Sequence, residues 1–90
     1  MIFAPEIRAA RGLLGWSQLE LAEAAGVGVA TVRRLEGAGK VRGSAEVIWK
    51  IQTALEVAGV EFIPADETRG PGVRLKRRAA QQVGKTRGQF

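Results

Sequence analysis

The stretch AEAAGVGVATVRRLE, residues 22–36, decides how this chain folds. Ala, Glu, Leu and Arg favour helix, yet Gly26 and Gly28 stand in its middle. Each glycine costs ~1 kcal/mol in a helix interior relative to alanine. The break is therefore read as a very tight turn, Gly26-Val27, joining two helices, with Gly28 starting the second. Small Ala22 lets the two helices cross closely. The second helix, residues 28 to 36, turns Val32 and Leu35 inward and stands proud of the surface, where it carries Arg33 and Arg34.

Outward from this stretch, the signals on both sides are also helical. Ser17-Gln18-Leu19-Glu20 matches a capping box, a serine cap with glutamate three residues on, and opens the helix that stops at Gly26. Before it, Pro5 suits a first helical turn, Ile7, Ala10 and Leu14 share one face, and Gly15 supplies a left-handed stop. After the GAGK loop, Ser44 caps a longer helix whose apolar stripe is Val47, Ile48, Ile51 and Leu55, extending towards Ala58. Beyond Gly59, VEFIP and GVRLK alternate as short strands do, with the polar ADETRGPG between them. They read as a β-hairpin with strands at about 60–63 and 72–76. Two strands alone are marginal in water, so the hairpin is expected to pack on the helices or pair with another chain. The fold class is mainly α: a four-to-five-helix domain over 1–59, the hairpin over 60–76 as a possible dimerisation element, and a basic, flexible tail over 77–90.

Composition narrows the chemistry. Ninety residues make one small domain, and 46% apolar residues give it a thin core. With no cysteine and no histidine there is no disulfide, thiol nucleophile or imidazole ligand, so no metal and no cofactor is expected. The only serines, Ser17 and Ser44, read as helix caps, and no acid pair is placed to form a pocket, so an enzyme is not expected. There is no signal-peptide pattern and no run of ~20 apolar residues, and the chain reads as a cytoplasmic protein with no membrane contact. The net charge of +5 is unevenly placed. Residues 1–65 hold seven Lys/Arg and seven Glu, whereas residues 66–90 hold seven Lys/Arg against Asp66 and Glu67, so the whole excess lies in the last 25 residues. Such a tail suits either a polyanion partner or plain solubility.

Two helices joined by a tight turn, the second exposed and carrying arginines, form the helix-turn-helix arrangement that enters the DNA major groove. Residues from Ile7 to about Leu55 resemble a phage-repressor-type (Xre/Cro) helix-turn-helix domain. The resemblance is carried by R-G-L-L-G-W-S-Q-x-x-L-A (11–22) and A-G-V-G-V-A-T-V-R-R-L-E (25–36). Counted from Gln18, a small residue falls at the fifth place (Ala22), glycine at the ninth (Gly26), and apolar residues at the fifteenth (Val32) and eighteenth (Leu35).

That resemblance implies roles residue by residue. Gln18 would bond a backbone phosphate with help from its helix N-terminus. Val29, Ala30, Arg33 and Arg34 would occupy the exposed face of the recognition helix. Arg34, and with it Arg33, is the candidate for bidentate reading of a guanine edge, worth ~1–3 kcal/mol of discrimination. Val29 and Ala30 could read only thymine methyls or shape. Thr31, Lys40 and Arg42 are candidate phosphate contacts, and Arg77, Arg78, Lys85 and Arg87 would add sequence-independent affinity from the tail. Arg11 and Glu36 are expected to be a structural ion pair tying the first helix to the third. The chain departs from the family at Gly28, where Ser or Thr is usual, and at Gly37, where Asn is common. A cap bond and one backbone contact are therefore expected to be missing.

Plainer roles fit several other residues. Trp16, just before the capping serine, suits a hydrophobic staple, and Trp49 a core or dimer contact. Glu20, Glu23 and Glu46 are helix N-terminal or solvated charges. The implied function is a sequence-specific transcriptional regulator, a repressor acting as a homodimer on double-stranded DNA with an inverted-repeat operator. The alternative is an antitoxin or anti-activator whose tail folds on a protein partner; it is the weaker fit, because such segments are usually acidic or amphipathic and this tail is basic.

Overall fold

The computed structural model describes residues 4–37 and 44–77. Lys40, Arg42, Arg78, Lys85 and Arg87 lie outside the described residues, as does all of the tail beyond Arg77. The order of elements is α1 (Ala4–Leu14), α2 (Gln18–Ala25), α3 (Val29–Gly37), α4 (Ala45–Val57), β1 (Val60–Ile63) and β2 (Gly72–Leu75). Four helices therefore stand among the described residues, followed by an antiparallel hairpin.

The helix ends follow from the residues at them. Gly15 ends α1 in the left-handed region at φ 70°. The N–H groups of Trp16 and Gly15 return to the carbonyls of Arg11 and Gly12 at 2.9 and 3.2 Å. Gly26 does the same for α2 at φ 71°. There the N–H groups of Val27 and Gly26 reach the carbonyls of Ala22 and Glu23 at 3.0 and 3.3 Å, the paired bonds of a Schellman stop. The capping box of α2 is complete: the Glu20 N–H donates to Ser17 Oγ at 3.0 Å, and the Ser17 N–H donates to Glu20 Oε1 at 2.7 Å. Ser44 caps α4 by accepting from the Val47 N–H at 3.1 Å.

The start of α3 lies one residue later than the sequence suggests. Gly28 is outside the helix, and its carbonyl accepts from the Thr31 and Val32 N–H groups at 3.0 and 3.2 Å. A glycine has no side chain to add to these, so the cap is made by main chain alone.

Core residues come from every helix and from β1. Ile7, Ala10, Leu21, Ala22, Val32, Leu35, Ile51, Leu55 and Val60 are buried together, and Ala4 joins them. Each large aliphatic among them contributes ~1.5–3 kcal/mol of burial. Leu14, Val47 and Ile48 lie half-buried at the margin of this core. Trp49 does not belong to it: the side chain is 65% exposed.

The hairpin pairs Val60 with Leu75, Glu61 with Arg74, Phe62 with Val73 and Ile63 with Gly72. The second strand ends one residue earlier than expected, at Leu75, although the Lys76 N–H still donates to the Gly59 carbonyl at 2.7 Å. Phe62, Val73 and Leu75 pack against the helical core, which supplies the support that two strands lack alone. The connection between the strands is organised by Asp66, whose Oδ1 accepts from the Thr68 and Arg69 N–H groups at 2.9 and 2.7 Å. These bonds hold the Asp66 carboxyl below its ordinary pKa.

Candidate nucleic-acid interface

The turn at Gly26 packs α2 against α3 and fixes which side of α3 faces solvent. Val32, Leu35 and Glu36 are buried, whereas Ala30, Arg33 and Arg34 are exposed. The side chains of Arg33 and Arg34 make no hydrogen bond or ion pair with any described residue. Thr31 is half-buried beside them. Val29 departs from the expected arrangement. It is half-buried and packs against the core, because it occupies the first turn of α3 where the chain leaves the tight turn. Its exposed part alone is left to meet a ligand.

Glu36 lies behind the exposed face, 3% exposed, and gathers bonds from three residues on two neighbouring helices. Arg11 grips it with two of the three nitrogens of its guanidinium, Nε to Oε2 at 2.6 Å and Nη2 to Oε1 at 2.8 Å. The third, Nη1, donates to the Trp16 carbonyl at 2.9 Å. Gln18 Nε2 donates to Glu36 Oε1 at 3.2 Å. Arg8 Nη1 donates to the main-chain carbonyl of Glu36, close to the C-terminus of α3, where a cation is favoured. Burial works to raise the pKa of the Glu36 carboxyl. The hydrogen bonds from Arg11 and Gln18 and the charges of Arg11 and Arg8 outweigh it, and the carboxyl is held below its ordinary value. The same contact raises the Arg11 pKa further, so the guanidinium stays charged at any working pH.

Arg8 is the member of this cluster that the sequence reading passes over. Its spacing of three from Arg11 is the available signal, since residues so placed on a helix are neighbours. Gln18 has one amide hydrogen committed to Glu36, which orients its side chain and leaves the carbonyl and the second N–H. At the start of α2 the capping box uses the N–H groups of Ser17 and Glu20, while those of Gln18 and Leu19 belong to the unpaired first turn. The Glu20 carboxylate at this end offsets part of the positive helix dipole. Arg77 is exposed at the last described position. Among the described residues no group of acids is placed to hold a metal ion, and no helix is long and apolar enough to cross a membrane.

An arginine-bearing helix locked through its inner face to two neighbouring helices, behind a glycine turn, is the arrangement that a known family shares. A family model described as helix-turn-helix matches residues 7–62, well over half of the chain. The chain belongs to the phage-repressor-type (Xre/Cro) helix-turn-helix family. No curated protein and no solved structure matches it. As a member of this helix-turn-helix family the chain is a DNA-binding transcription regulator, from a regulatory rather than a typically enzymatic class.

Proposed function

We propose that this regulator is a sequence-specific repressor acting as a homodimer on an inverted-repeat operator. The observation that carries the reading is the contrast across α3. Its inner face is held by Glu36, Val32 and Leu35, while Arg33 and Arg34 on the outer face have no partner among the described residues. A rigid helix presenting two uncommitted guanidiniums suits bidentate contact to guanine O6 and N7, and Arg34 is assigned the principal base contact. Ala30 and the exposed part of Val29 meet thymine methyls. Gln18, oriented by Glu36, gives its second amide hydrogen to a phosphate, as does the Thr31 hydroxyl. Lys40, Arg42, Arg77, Arg78, Lys85 and Arg87 supply further phosphate contacts. One such domain reads only a few base pairs, so two copies on two half-sites provide the needed length.

The test is a titration of the full chain against the DNA upstream of its own coding sequence and against a shuffled control, at low and physiological salt. Preference for the native DNA that persists at physiological salt is expected. Equal, salt-sensitive binding to both would leave only general attraction to polyanions and would remove the sequence-specific reading.

A further inference from the structure

The four helices carry five cationic side chains among the described residues: Arg8, Arg11, Arg33, Arg34 and Lys50. Two are neutralised within the protein, Arg11 by Glu36 and Lys50 by Glu46. The other three have no carboxylate partner among the described residues. All three gather at α3. Arg33 and Arg34 belong to its outer face, and Arg8 reaches its end from α1, where Nη1 donates to the Glu36 carbonyl.

The charges around Glu36 therefore do not balance. One carboxylate stands against two guanidiniums, and Arg11 engages both of its oxygens. Arg8 bonds only the main chain, so its positive charge is left over on an exposed side chain. A guanidinium has five N–H donors, and a single nitrogen of this one is engaged. The rest of the fork is open, yet it is tethered through Glu36 to the helix that Arg33 and Arg34 occupy. A fork placed in advance loses less freedom when it meets an oxyanion.

Its position names the ligand. A helix lying in the major groove has a phosphate strand along each wall, and side chains that reach its flank from neighbouring helices meet phosphates rather than base edges. Gln18, assigned to a phosphate above, is anchored on the Glu36 carboxylate from α2, and Arg8 is anchored on the carbonyl of the same residue from α1. The groove of about 490 Å³ between α4 and the end of α2 offers an anion no such place. Trp16, Ala25, Trp49 and Ala54 are among its lining residues, and its one cation, Lys50, already faces Glu46.

We propose that Arg8 is a DNA-backbone contact, its guanidinium held at the end of α3 by the Glu36 carbonyl and bound to a phosphodiester that flanks the recognition helix. The interface then extends onto α1. This rests on the DNA-binding reading above, but not on the operator or on a dimer.

The experiment titrates the full chain, as wild type, Arg8→Gln and Arg8→Lys, against the DNA upstream of its own coding sequence and a shuffled control at several salt concentrations. Circular dichroism and thermal unfolding check that each variant is folded. Arg8→Gln is expected to weaken binding to both DNAs by the same factor, about fivefold at physiological salt, and to lower the slope of log affinity against log salt by about 0.9. Arg8→Lys keeps the charge and the slope. A role confined to tying α1 to α3 would lower the melting temperature and leave the slope alone, because no counterion release is lost. An unchanged slope in Arg8→Gln overturns the inference, whatever the affinity does. A loss confined to the native DNA overturns it too, as does a slope lost equally in Arg8→Lys. Equal binding of the wild type to both DNAs removes the sequence-specific reading, and a slope that still falls in Arg8→Gln then upholds this one. Absence of binding to either DNA removes both.

Discussion

Gly26 and Gly28 are two residues apart and do opposite things. Gly26 holds the left-handed conformation that stops α2, with open space around it. Gly26→Ala therefore meets no clash but takes on the left-handed penalty, and is expected to lose ~1–2 kcal/mol of unfolding free energy. Gly28 has no positive φ, and a side chain there would meet nothing closer than Thr31 Oγ1 at 3.9 Å. Gly28→Ser adds the missing cap of α3 and stiffens the unfolded chain, for an expected gain of up to ~1 kcal/mol. Chemical denaturation of the two variants checks both signs, and a loss on Gly28→Ser would show that the main-chain cap is already the better one. At the arginines the measurement is binding. Arg34→Ala is expected to relax the preference at one base pair per half-site by ~1–3 kcal/mol, seen as a flattened profile when that position is varied in competition assays.

Between elements, Glu36 is the joint on which the orientation of α3 depends. Replacing Glu36 by Ala leaves the Arg11 guanidinium, 19% exposed, without its partner, and is expected to cost ~3–5 kcal/mol. The joint is also sensitive to acid. Because the folded carboxyl is held below its ordinary pKa, its stabilisation is complete above the unfolded value and fades as pH falls through the folded one. Stability measured from neutral pH downward should therefore fall in that acid range, and Glu36→Gln should show a shallower fall from a lower starting point. Most of these elements are legible in the sequence, because caps and glycine stops are local chemistry: Ser17 with Glu20, Gly15, Gly26 and Ser44 each act within one turn of themselves. The offset of α3 by one residue arises because Gly28 caps through its carbonyl, which no residue type announces. The half-burial of Val29 and the share of Gln18 and Arg8 in the Glu36 cluster depend on how α1, α2 and α3 meet. Spacing along the chain indicates which residues could be neighbours on one helix, but not which groups come together across three.

For the molecule as a whole, charge and surface divide the work. Residues 1–65 sum to zero, so the net positive charge resides in the residues that follow. Truncation after Lys76 removes Arg77, Arg78, Lys85 and Arg87, and should lower affinity for every sequence alike. The slope of log affinity against log salt should fall by roughly 1 for each removed cation that meets a phosphate. Unchanged affinity and slope would rule out a DNA-contacting tail. The groove beside α4 has a consequence of another kind. Both tryptophans of the chain line it, no tyrosine is present, and no α3 residue contributes to it. Intrinsic fluorescence excited at the red edge of protein absorption thus comes from this one wall of the molecule. Emission maximum, anisotropy and iodide quenching become a label-free optical gauge of whatever covers the groove, one that a ligand held only by Arg33 and Arg34 does not touch.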